Sequence, residues 1–120
     1  MELNQAVEYI LGKKGAEKTY PFDYETMVFK VGSKMFALAS IHEPGRESLN
    51  LKSIPEVSGG LRKTHDEIIP GYHMNKRHWN TVYLDGRLTD AFIFELIDIS
   101  YELVFDKLTR FQREEVMKDK

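Results

Sequence analysis

Between Gly71 and Val82 the chain reads Gly-Tyr-His-Met-Asn-Lys-Arg-His-Trp-Asn-Thr-Val, its densest run of polar chemistry. Lys76 and Arg77 carry fixed positive charge, His73 and His78 can acquire it, and Tyr72 and Trp79 bracket the group. Ammonium and guanidinium groups pair with phosphate oxygens, the guanidinium in bidentate fashion. An aromatic face accepts a stacked base, a contact worth about 1–3 kcal/mol. The Asn75 amide can read an adenine edge or a ligand amide, and it can equally tie a turn to its own backbone. The segment suits a surface that meets nucleic acid, or a polar pocket for a small ligand formed by Tyr72, His73, Asn75 and Arg77.

Each of these residues also has a plainer reading. Lys76 and Arg77 are two charges on a loop entering a strand, where solvation alone accounts for them. Trp79 is the only tryptophan, and in a small domain such a residue more often covers the core than offers a free face. His65, Asp66, His73 and His78 could in principle supply three or four ligands to zinc. Their spacing matches neither a helical i,i+4 pair nor His-Glu-x-x-His, so hydrogen bonding within the loop is the better expectation and no metal is assigned.

Other catalytic signatures are missing from the sequence. No glycine-rich phosphate loop precedes a helix, and Ser100 falls within a helical stretch rather than in a Gly-x-Ser-x-Gly elbow. Glu95 and Asp98 share a helix face that reads as solvated, where nothing would shift their pKa values. The expectation is a protein without catalytic residues or cofactor.

The elements that must hold the basic run are readable around it. Leu3, Ala6, Val7, Ile10 and Leu11 fall at helical spacing, which predicts a helix over 2–11 closed by Gly12 and Gly15. Pro21 begins an extended region. Met27–Val31 and Lys34–Ile41 predict two strands joined by Gly32-Ser33, a two-residue loop with glycine first, as in a type II′ hairpin. His42–Ser48, with Pro44-Gly45, predicts a loop, and Leu49–Lys52 a third strand. Ser53-Ile54-Pro55-Glu56 has the form of a capping box, opening a short helix over 54–64 with Ile54, Val57 and Leu61 as its apolar stripe. Gly59-Gly60 weakens that helix by about 1 kcal/mol each relative to alanine.

Pro70-Gly71 leads into the basic run, which feeds a strand over Trp79–Leu84. Asp85-Gly86 is a turn, and Thr89 caps a long helix from Asp90 to about Leu108. Its inward face includes Ile93, Ile97, Tyr101, Val104 and Leu108, flanked by Phe92, Leu96, Ile99 and Leu103. Its outward face carries Glu95, Asp98, Glu102 and Asp106. From Phe111 the chain is mostly charged, a tail or an extension of that helix, so residues 1–110 form the expected domain. Hairpin-linked strands with helices on one face define an α+β, two-layer sandwich of order α-β(3)-α-β(1–2)-α.

Composition bounds the rest. At 120 residues one domain is expected, burying roughly two-thirds of its unfolded surface. With no cysteine, disulfides, thiolate zinc sites and cysteine nucleophiles are excluded. No basic-then-apolar leader or bilayer-length apolar run is present, which predicts a cytoplasmic protein without a membrane partner. The net charge of −2 and pI near 6.1 provide no global attraction to polyanions. From Arg62 to His78 the fixed charges are Arg62, Lys63, Lys76 and Arg77 against Asp66 and Glu67, a local +2 that leaves −4 elsewhere.

Several stretches in order are similar to the MmcQ/YjbR family of small bacterial proteins. They are Tyr20-Pro21-Phe22, Val28–Gly32 with Lys34–Ala37, Leu49–Lys52 with Pro55-Glu56 and Leu61-Arg62, Pro70–Trp79, Leu96–Asp98 and Ser100–Val104. The resemblance implies a secretion-chaperone-like or frataxin-like sandwich with no established catalytic residues or cofactor. It also implies DNA binding, since the family is described as predicted DNA-binding proteins with a "double-wing" motif. On that reading Lys34, Lys52 and the Gly32-Ser33 tip act as wings on the phosphate backbone beside Arg62, Tyr72, His73, Asn75, Lys76, Arg77 and His78. Binding would be weak and salt-sensitive, and a monomer is expected. Gly59-Gly60 departs from the better helix formers of the family pattern.

Overall fold

The computed structural model describes residues 1–20, 26–41, 46–71 and 74–118. Helix α1 spans Leu3–Leu11 and is followed by strands β1 (Glu17–Thr19), β2 (Met27–Val31), β3 (Lys34–Ile41) and β4 (Glu47–Lys52). Helix α2 (Pro55–Thr64), strands β5 (Ile68–Pro70) and β6 (Trp79–Tyr83), and helices α3 (Asp90–Asp106) and α4 (Arg110–Lys118) complete the chain. The six strands form one antiparallel sheet in the order β1-β2-β3-β4-β6-β5.

The main core lies between the sheet and the helices. Phe29, Phe36, Leu49 and Val82 from the strands meet Ile10 of α1 and Ile97 of α3, all essentially fully buried. Strand alternation sends Val28 and Leu38 to the other face, where they form a second, smaller cluster with Trp79, Met35 and Met74. The expected two-layer α+β sandwich is the observed fold. The hairpin strands fall at Met27–Val31 and Lys34–Ile41 as expected, and the Thr89 hydroxyl accepts from Phe92 N–H at 3.2 Å to cap α3.

Several details differ from expectation, each for a local reason. Gly32 and Ser33 both have positive φ, 55° and 73°, which is the type I′ pattern rather than II′. Ser53 does not cap α2. Its N–H donates to His78 O at 2.8 Å, its hydroxyl pairs with that of Ser58 in the interior, and Ile54 takes the cap position without a side-chain bond. The α2 stripe is only partly inward, since Ile54 and Val57 stay 45% and 41% exposed while Leu61 packs against the core. The third strand begins earlier than expected, at Glu47, and β1 and β5 are three-residue strands too short for periodicity to reveal.

The charged C-terminal residues neither fray nor extend α3. They form a separate helix whose Val116 is buried in the core. Arg113 donates to Leu108 O at 2.6 Å, satisfying a carbonyl where the chain turns between the two helices. The expected extended start at Pro21 and the Pro44-Gly45 turn lie outside the described residues.

Candidate polyanion interface

One end of the sheet collects five cations from four places in the sequence. Lys34 opens β3, Lys52 closes β4, Lys76 and Arg77 precede β6, and Lys107 is the C-cap of α3. Lys52 sits in register opposite Trp79, so the turn before β6 is held beside it. Lys34, Lys76, Arg77 and Lys107 are exposed and Lys52 is half-buried. Among the described residues none of the five takes part in an ion pair.

The turn carrying Lys76 and Arg77 is built by Asn75. Its side-chain oxygen accepts from Arg77 N–H at 3.0 Å, and its carbonyl accepts from His78 and Trp79 N–H at 3.2 and 3.0 Å. The side chain thus ties the turn to its own backbone, the plainer of its two expected roles. Gly71 closes the loop from the other side: its N–H donates to Trp79 O at 2.8 Å. A Cβ there would stand 2.8 Å from Trp79 Cβ and 2.9 Å from Trp79 O, so only glycine allows the approach. Trp79 is 8% exposed and anchors the loop, leaving no face for a base.

Arg62 is largely occupied as a tether. Nε donates to Asn80 Oδ1 at 2.6 Å, and Nη2 bonds the carbonyls of Lys76 and Trp79, so α2 holds the turn in place. Tyr72 and His73 lie outside the described residues. His65 stacks on Phe92 at 5.0 Å and hydrogen-bonds Thr64, whereas His78 lines a groove with Lys52 and Lys107. The two histidines therefore serve different places, and no metal-ligating group of three His, Asp or Glu occurs among the described residues.

Lys52 is the most constrained of the cations. Burial, and then the charges of Lys107 and Lys34, push its ammonium below the ordinary lysine range. Its position is set by Ser100, whose hydroxyl accepts from Lys52 N–H at 2.8 Å and donates to Phe36 O at 2.5 Å. A mid-helix serine thus joins α3 to the backbones of β3 and β4. Lys107 and Ser100 have no motif signature. The only sequence signal was a cation closing a helix and a small polar residue on its apolar face.

A second polar cluster, absent from the sequence reading, links α1 to α3. Asp98 accepts from Tyr9 OH at 2.6 Å and pairs with Lys13. Tyr9 also stacks on Phe94 at 4.1 Å, and the Lys13 ammonium lies 4.9 Å from the Tyr9 ring. The hydrogen bond to Asp98, with burial, raises the Tyr9 phenol pKa. Burial works against the Lys13 ammonium, but Asp98 outweighs it and the pKa is raised. Asp98 therefore belongs to an interhelix lock, a correction to the solvated acidic stripe, while Glu95, Glu102 and Asp106 remain exposed.

Fold and site together define a small α+β sandwich with a cationic sheet end and no helix, among the described residues, long and apolar enough to cross a membrane. The YjbR family model matches residues 11–103, and the chain belongs to that family. It is 36% identical over 113 residues to the YjbR protein of Escherichia coli K12, covering 94% of this chain and 95% of that one. It is 40% identical over 100 residues to YbdF of E. coli O157:H7, covering 83% and 81%. Among solved structures, Deinococcus radiodurans DR2400 superposes with a TM-score of 0.88 at 39% identity, over 96% of this chain and 87% of that one. A Pseudomonas syringae protein follows with a TM-score of 0.75 at 33% identity, over 87% and 99%.

Proposed function

We propose that this protein is a non-enzymatic module that binds nucleic acid through the phosphate backbone at the cationic end of the sheet. The observation that carries the reading is the convergence of Lys34, Lys52, Lys76, Arg77 and Lys107 at that end without an ion-pair partner among the described residues. Such unpaired cations release counterions from a polyanion when they meet it, which makes binding favourable and salt-dependent. With Trp79 buried and the Asn75 oxygen committed to its turn, neither residue reads bases. The binding is therefore sequence-tolerant.

An NMR amide titration with a short duplex DNA at two salt concentrations tests this. Expected shifts fall at Lys34, Ser53, Lys76, Arg77, His78 and Lys107, weakening at the higher salt. Shifts scattered over α3's acidic face, or none at the lower salt, contradict the reading.

A further inference from the structure

The cationic end is not a uniformly flat ridge. Between the start of α2 and the end of α3 lies a groove of about 300 Å³ whose lining includes Lys52, Lys107, His78, Ile54, Pro55 and Leu103. That volume is at the lower end of small-molecule sites. A phosphodiester tracking along a duplex would pass over such a concavity, whereas a group at a chain end can enter it.

We propose that this groove is a subsite for a terminal phosphate monoester, at a nucleic-acid end or on a free mononucleotide, an inference that rests in part on the nucleic-acid reading above. Charge selects the monoester. Lys52 and Lys107 line the groove and Glu56 is the only acidic residue doing so among the described residues. Lys34 stands close enough to act on the Lys52 charge. The lining itself carries +1, from Lys52 and Lys107 against Glu56, and Lys34 at the same sheet end adds a further cation. A phosphate monoester, at about −1.5 to −2 at pH 7, uses more of that charge than a diester can. A backbone diester offers only one charge.

The walls supply the second half of the recognition. Ile54 is 45% exposed, and Leu103 is half-buried beside it. Neither belongs to the buried core, yet both face the groove that holds the two lysines. An anion carrying an apolar or π-surfaced body, such as a nucleoside, satisfies both features. Inorganic phosphate satisfies only the charges and should bind more weakly than a mononucleotide.

The test compares one single-stranded deoxyoligonucleotide bearing either a 5′-phosphate or a 5′-hydroxyl, together with a deoxynucleoside monophosphate and inorganic phosphate as separate probes. Roughly tenfold tighter binding of the phosphorylated strand is expected, the gain of one additional charge-assisted contact set. Lys107→Met should abolish that preference and Lys107→Arg should retain it, and the exposed position makes either variant compatible with folding. Equal binding of the two strands, or a preference that survives Lys107→Met, overturns this inference and leaves the backbone-binding reading intact. If the monophosphate shifts the Ser53, His78 and Lys107 amides while neither strand binds, the subsite stands and the nucleic-acid reading falls. If no probe binds, both fall.

Discussion

Ser100 shows how a single side chain can hold both fold and site. Its hydroxyl serves the Phe36 carbonyl and the Lys52 N–H together, so removing it strands two backbone groups between α3 and the sheet. Ser100→Ala should cost about 1–3 kcal/mol in urea unfolding and should also perturb the Lys52 amide resonance. A variant as stable as the parent would show that the bridge contributes nothing. Asp98 acts at the same scale. The raised Tyr9 and Lys13 pKa values mean that the fold favours their protonated forms. That contribution is fully present below their unfolded values near 10 and is lost as pH rises through the higher folded values. Asp98→Ala should cost about 1 kcal/mol at neutral pH, given its partial exposure. It should also make the alkaline fall in stability shallower, and an unchanged alkaline profile would exclude the lock. Lys52 has the opposite sign, since its pKa is lowered and the folded state gains when its charge is removed. Lys52→Met is expected to be neutral or to stabilise by up to about 0.5 kcal/mol while weakening anion binding.

Helix α2 is only loosely committed to the core. Its one fully buried residue is Ser58, and its two adjacent glycines have no atom within 4 Å of where a Cβ would stand. Nothing in the packing requires glycine there, so Gly59→Ala/Gly60→Ala should stabilise the protein by about 1–2 kcal/mol. A loss of stability in thermal unfolding would contradict that. Gly71 differs, because Trp79 fills the space a side chain would need, and Gly71→Ala should destabilise. Elements were legible in the sequence where periodicity ran long enough, as in α1, the β2–β3 hairpin and α3. The capping box at Ser53 misled because the same serine meets two demands, and the sheet end and Ser58 claim it before the helix does. Helix α4 was hidden by its charge, with Val116 its only buried residue. At the site, Lys34, Lys52, Lys76 and Arg77 were legible as cations. Their meeting with Lys107 was not, because sheet order and the C-cap of α3 create it. Arg62 looked like a ligand contact and serves largely as the clamp on the turn.

Taken whole, the molecule segregates charge against its own net sign. A chain of net charge −2 places Glu95, Glu102 and Asp106 on the outer surface of α3 and gathers Lys34, Lys52, Lys76, Arg77 and Lys107 at one sheet end. On the proposed reading, polyanions would be repelled from the first surface and drawn to the second, so that orientation would be set before contact, over roughly a Debye length of 8–10 Å at moderate salt. The most direct measurement of this account is the affinity for a short duplex across a salt series, for the parent protein and for Lys76→Met/Arg77→Met. The parent should give a slope of log K against log salt between about −2 and −4, and the double variant a slope shallower by nearly 2. A slope near zero, or one that the double variant leaves unchanged, would contradict the assignment of this sheet end as the polyanion interface.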